Sequence, residues 1–201
     1  MSVRPLGDSA CLVEFPTDSA GSAIARVHGL MEALEEQRPD GVLDLVPSFN
    51  SLAAHFRSGD PQTIFKWMCC STSEARVPDG VEKRIPVCYD GPDLEEVAAA
   101  TGLSRDEVIW LHGSAVYTVA AVGFSPGFPY LTGLPEKLHL PRRSTPRTCV
   151  EAGSVAIAGG QAGIYPSASP GGWHVLGRTG ETLFDPDAAL PALLRPGDRV
   201  R

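Results

Sequence analysis

The sequence predicts two domains of different class: an α+β domain with a ferredoxin-like layout over residues 1–80, then an all-β domain over 81–201. Three observations carry this reading. Alternating strand-like and helix-like segments fill the front of the chain. A polar stretch, "STSEARVPDG" (71–80), interrupts it as a linker would. Beyond residue 114 the pattern changes to short β segments cut by Gly and Pro, as in a barrel or sandwich.

Taken in order, "SACLVEF" (9–15) reads as a strand. In "SAGSAIARVHGLMEALEEQ" (19–37), Ile24, Val27, His28, Met31 and Leu34 recur at helical spacing opposite a polar face. "GVLDLVPS" (41–48) and "SLAAHFR" (51–57) read as strands around a tight connection. "DPQTIFKWMCC" (60–70) opens with Asp60 as N-cap and Pro61 at the first helical position. A further strand would complete the split βαβ unit. The second domain starts near "KRIPVCYD" (83–90). Asp93 is placed to cap the helix "LEEVAAATG", and "SRDE" (104–107) fits a capping box before "VIWLHG". The later strands are "AVYTVAAV", "SVAIAG", "GIYP", "GWHVLG", "ETLFD" and "GDRVR".

Composition narrows the function. At 201 residues and 43% apolar, the chain can bury a core without staples. No apolar run approaches a membrane span, and the N-terminus lacks the pattern of a secretory signal, so a cytoplasmic protein is expected. The five cysteines form no C-x-x-C pair, and Cys69 and Cys70 are adjacent, so buried, reduced thiols are expected rather than disulfides or zinc. Net charge is −7, and the acidic excess lies in residues 1–135. That argues against a nucleic-acid partner and leaves the back third able to receive a small anion.

Three segments carry candidate chemistry. "GFSPGFPYLTGLP" (123–135) contains G-x-S-x-G, but Pro129, Gly133 and Pro135 forbid the helix that a nucleophile elbow needs. Phe124, Phe128 and Tyr130 are instead expected to form an apolar wall beside a pocket or partner surface. "PRRSTPR" (141–147) sets Arg142, Arg143 and Arg147 between prolines, a cluster suited to carboxylate or phosphate. "GSVAIAGGQAGIYPSASPGGWHVLGRTG" (153–180) offers backbone freedom at Gly153, Gly160, Gly171 and Gly172, and polar groups at Gln161, Tyr165, His174 and Arg178. Trp173 and His174 should face opposite sides of a strand. Trp173 is assigned to the core and His174 to the site. No P-loop and no metal-ligand spacing occurs, so no metal is assigned.

These segments, with "IPVCYDGPDLEEVA", "LHGSAVYTV", "LLRPGD", "PLGDSACLVEF" and "DLVPSFNSL", resemble in order the family that contains the 5-oxoprolinase B subunit, allophanate hydrolase subunit 1 and the sporulation-kinase inhibitor. The resemblance implies an N-terminal α/β domain and a C-terminal cyclophilin-like β-barrel. It implies partners of the subunit-C (allophanate hydrolase subunit 2-like) and subunit-A types, and opening of 5-oxoproline to glutamate with ATP and Mg²⁺ bound in the assembled complex. Relatives imply two alternatives, inhibition of a histidine kinase and carboxyl transfer to a urea-like amide. On this sequence His174, Arg147 and Arg178 become the expected catalytic residues. Phe124, Phe128, Tyr130, Arg142, Arg143, Gln161 and Tyr165 are the expected substrate contacts. Two departures stand out: Glu151 occupies a position where proline is usual, and the chain stops at Arg201, soon after the last expected strand begins.

Overall fold

A computed structural model describes residues 2–16, 20–57, 61–70, 75 and 80–201. The chain divides into two compact units, Met1–Asp79 and Gly80–Arg201.

In the first unit β1 (Ser2–Pro5) and β2 (Ala10–Glu14) are followed by α1 (Ala20–Glu36), β3 (Val42–Ser48), β4 (Ser51–Phe56) and α2 (Pro61–Cys70). The strands form one antiparallel sheet in the order β1-β2-β4-β3. Alternation along β2 sends Cys11 and Val13 to one face, and the 3.6-residue period of α1 sends Val27, Leu30 and Leu34 against it. Ile64 and Met68 of α2 complete that core. In the run β2, α1, β3, β4, strand β4 lies between β2 and β3. The strand flanking β2 precedes it in the chain: β1, an outer strand not anticipated from sequence, pairs with β2 through Val3↔Val13. The proposed N-cap Asp60 and nearly all of the 71–80 linker lie outside the described residues.

The second unit runs β5 (Glu82–Lys83), α3 (Leu94–Thr101), α4 (Arg105–Ser114), β6 (Tyr117–Val122), β7 (Pro129–Thr132), a 3₁₀ turn at Glu136–Leu138, β8 (Arg147–Val150), β9 (Ser154–Ala158), β10 (Gln161–Ile164), β11 (Ser169–Gly171), β12 (His174–Arg178) and β13 (Arg199–Val200). Seven strands form a sheet in the order β12-β9-β10-β7-β6-β13-β5, and β8 pairs with β11 separately. The edge strands β12 and β5 do not pair; the segment after β5 makes one isolated antiparallel bridge to β12, Cys88↔Arg178, so strand pairing does not make the continuous barrel wall expected. Val119, Leu131, Val155, Ile157, Ala162, Ile164 and Leu176 fill its inner face, with α3 and α4 contributing Leu94, Val97 and Val108.

The caps differ in outcome. Ser104 and Glu107 form the capping box of α4, with the Ser104 N–H donating to Glu107 Oε2 at 2.8 Å. Asp93 precedes α3 but makes no side-chain cap, because its carboxylate is engaged elsewhere. Among the described cysteines, Cys11, Cys69, Cys88 and Cys149 are free thiols, but only Cys11 is buried, which corrects the expectation of buried thiols.

Candidate active site

The segment joining β6 to β7 is a compact turn. Gly123 N–H donates to the Phe128 carbonyl at 3.0 Å and Phe128 N–H to the Ser125 carbonyl at 3.1 Å. β7 follows directly, so Ser125 is not on a strand-to-helix elbow. Its Oγ is buried with no hydrogen-bond partner. Phe124 alone among the described non-glycine residues has a left-handed backbone, φ 72°, and its ring is 66% exposed at the tip of the turn.

Behind that tip the aromatics converge. Phe128 meets Phe124, Tyr130, Tyr165 and Trp173 edge to face, with centroids 5.0–5.7 Å apart. Phe128, Tyr165 and Trp173 are almost fully buried. Glycines admit the rings: a Cβ on Gly163 would stand 2.8 Å from the Phe128 ring, and one on Gly171 2.2 Å from the Tyr165 hydroxyl. These rings, with Arg142, Pro146, Pro170, Gly171 and Gly172, line a cavity of about 230 Å³.

Arg143 and Arg147 turn away from this space toward Asp93. Arg147 grips the Asp93 carboxylate with both terminal nitrogens, Nη1 to Oδ2 at 2.8 Å and Nη2 to Oδ1 at 2.6 Å. Arg143 Nη1 donates to Oδ1 at 2.8 Å and to Glu96 at 2.5 Å. The Val175 N–H adds a fourth bond to Asp93, to Oδ2 at 2.7 Å. Burial pushes the Asp93 carboxyl upward, but the Arg147 hydrogen bonds, the Val175 N–H and the two guanidinium charges outweigh it, so its pKa is lowered and it stays ionised. This clamp ties the 141–147 segment to β12 and the start of α3.

The sequence-predicted residues therefore separate. Phe124, Phe128, Tyr130, Arg142, Tyr165, Gly171 and Gly172 are brought together around one cavity. Trp173 joins a buried cluster with Phe128, Tyr165 and Val175, as expected, and its indole also lines the cavity; His174 does not line it, and its Nε2 instead donates to the Pro141 carbonyl at 2.9 Å. The indole takes the cavity side because it packs edge to face on Phe128 and Tyr130 there. Arg178 pairs with Asp90 at 2.8 Å beside a separate groove of Pro86, Val87, Cys88, Thr179 and Gly180. Gln161 pairs in register with Thr132 and Ala158, outside the cavity lining. Gly153 (φ 79°) donates to the Tyr165 carbonyl in the β8–β9 turn, and Gly160 sits under the His139 ring. Asp93, Pro146 and Pro170 went unassigned as site residues from sequence. Asp93 was disguised by its helix-start position, since an aspartate there reads first as a cap.

Comparison with known proteins agrees with this architecture. The family model described as carboxyltransferase domain, subdomain C and D, matches residues 1–194. The chain belongs to that family. A 5-oxoprolinase B subunit from Escherichia coli O157:H7 is 41% identical over 98% of this chain and 92% of its own length. One from Bacillus subtilis (strain 168) is 38% identical over 99% and 90%. The crystal structure of TTHA0988 superposes with TM-score 0.86 at 40% identity, covering all of this chain but only 40% of that one. The Kluyveromyces lactis urea carboxylase superposes with TM-score 0.78 over 98% of this chain and 21% of its own, at 21% identity, a likeness of fold.

The Glu151 departure is accommodated at the surface. Its backbone carbonyl accepts from Ser154 N–H at 3.2 Å, and its carboxylate meets the exposed Cys149 thiol at 3.6 Å. Among the described residues no group of three or more His, Cys, Asp or Glu is arranged to hold a metal ion. No helix of the described residues is long and apolar enough to cross a membrane.

Proposed function

We propose that this chain is the B subunit of an ATP-dependent 5-oxoprolinase, acting with subunit-A and subunit-C type partners to open 5-oxo-L-proline to L-glutamate. One observation carries the assignment of the site: an aromatic-walled cavity with a guanidinium at its edge, in a chain whose near-full-length relatives are named as the B subunit of 5-oxoprolinase. 5-Oxoproline is a small ring with one carboxylate and one neutral lactam. Aromatic edges accommodate such a ring and exclude water from it. A cationic side chain fixes the carboxylate and hence the direction in which the lactam points.

ATP would supply the activation: its γ-phosphoryl would pass to the lactam oxygen with release of ADP, and water attack at the ring carbon would then open the C–N bond with loss of phosphate. The described residues do not fit a nucleotide site. They offer no metal cluster, and the sequence has no phosphate-cradling loop with its lysine. Phosphoryl transfer is therefore assigned to the partner subunits, and this chain's part is binding, orientation and desolvation. His174 enters this reading as a support of the site's frame, through Pro141, while Arg178, paired with Asp90 beside a separate groove, has no part in it.

Mixing the purified chain with its two partner subunits, with ATP and Mg²⁺, tests the proposal. The expected result is phosphate release that depends on 5-oxoproline and is stoichiometric with glutamate. Failure of every such mixture to turn over 5-oxoproline, together with inhibition of a histidine kinase by this chain alone, would replace the proposal with the regulatory reading.

A further inference from the structure

We infer that Arg142 alone among the three arginines of "PRRSTPR" receives the substrate's carboxylate, while Arg143 and Arg147 build the wall that presents it; this rests on the 5-oxoprolinase reading. The three side chains are near neighbours in sequence but have different fates. Two guanidiniums are committed to acids, Arg147 to Asp93 and Arg143 to Asp93 and Glu96. Two cations against two anions leave that cluster with no net charge for a ligand. Arg142 has no hydrogen bond or ion pair to any described residue, yet it lines the cavity. Its charge acts on the Tyr165 hydroxyl, which lines the same space; Arg147 acts on that hydroxyl too, but its charge is already matched by Asp93.

The backbone on each side of Arg142 is pinned. The Pro141 carbonyl accepts from His174 Nε2 at 2.9 Å, which fixes the proton on that nitrogen. The Arg143 N–H donates to the Gly172 carbonyl at 2.8 Å. The residue between these two bonds is held at its Cα while its side chain keeps all five donors. A cation positioned this way loses little freedom on binding, which favours a carboxylate over solvent. One uncompensated charge beside five aromatic rings suits a monoanionic ring compound. It gives no advantage to a neutral amide such as a urea, and it undercompensates a dianion.

The test compares 5-oxoproline with 2-pyrrolidinone, the same lactam without the carboxylate, in the reconstituted three-subunit complex. For Arg142→Gln the account expects KM for 5-oxoproline to rise about 10- to 100-fold, the range for losing a charge-assisted hydrogen-bonded pair, with kcat within about threefold. Binding of 2-pyrrolidinone, read by calorimetry, should not change. Arg142→Lys should recover part of the loss, and Arg142→Gln should melt at the wild-type temperature. Turnover with an unchanged KM in Arg142→Gln, or equal weakening of both ligands, overturns the inference alone. A wild-type complex that never turns over 5-oxoproline removes the functional reading, and the inference falls with it.

Discussion

Replacing Asp93 with alanine deletes the carboxylate that holds four N–H donors from three residues on two segments. The Asp93 side chain is 2% exposed, so what remains is a buried Val175 N–H without its partner and two guanidiniums with only Glu96 to offset them. Breaking a buried ion pair by removing one member costs about 3–5 kcal/mol. Arg143 and Arg147 keep 23% and 28% of their side-chain surface, so water relieves part of the repulsion and the lower end, about 3 kcal/mol, applies. For a chain of this size that corresponds to a drop of roughly 6–12 °C in melting temperature. Asp93→Asn keeps an acceptor for Val175 but loses the charge, and should cost about 2 kcal/mol. Equilibrium urea unfolding followed by tryptophan fluorescence gives the values, and a double-mutant cycle with Arg147→Gln should return a coupling of at least about 1 kcal/mol. An Asp93→Ala protein within about 0.5 kcal/mol of wild type would refute the reasoning, because the clamp would then contribute nothing net.

Other predictions follow from the same geometry. Gly171→Ala places a methyl group where the Tyr165 hydroxyl stands, so stability should fall by about 1–3 kcal/mol and substrate affinity with it; a neutral result in a urea titration would mean the rings pack differently. His112 is buried, with Nδ1 2.7 Å from the Tyr89 hydroxyl, and burial lowers its pKa to about 4. A base with a depressed folded pKa binds fewer protons folded than unfolded, so stability should decline as pH falls from about 6.5 to about 4, by roughly 3 kcal/mol in all. A flat profile across that window in a pH series of melts would contradict a neutral buried imidazole. Asp93 has the complementary signature: its pKa is lowered by its arginine partners despite burial, so its stabilisation persists above the ordinary aspartate range and disappears only below about pH 4. Ser125→Ala should leave turnover of the reconstituted complex within about twofold, since no elbow presents that hydroxyl; a loss of a hundredfold or more would restore the serine-nucleophile reading.

What the sequence disclosed depended on whether the signal was local. The period of α1, the Ser104–Glu107 box and the alternation of β2 are written within a dozen residues each, and all three appear in the fold. The aromatic turn was legible for the same reason: Pro and Gly at those spacings forbid a helix, and three rings in seven residues need a common wall. β1 was missed because "SVRP" is short and carries little apolar alternation, so only its pairing with β2 reveals it. The fates of the arginines were hidden by distance. Arg147 finds Asp93 fifty-four positions away, and no pattern inside "PRRSTPR" separates the arginines that pair from the one that does not. Trp173 and His174 illustrate the same limit: strand alternation says they oppose each other, but that the cavity lies on the Trp173 side is decided by Phe128 in the turn before β7.

The decisive measurement is the crystal structure of the reconstituted complex with 5-oxoproline bound. The account predicts the ring among Phe124, Phe128, Tyr165 and Trp173, with its carboxylate on the Arg142 guanidinium. Ligand seated elsewhere on the assembly, with those rings in contact only with solvent or with a partner chain, would contradict it.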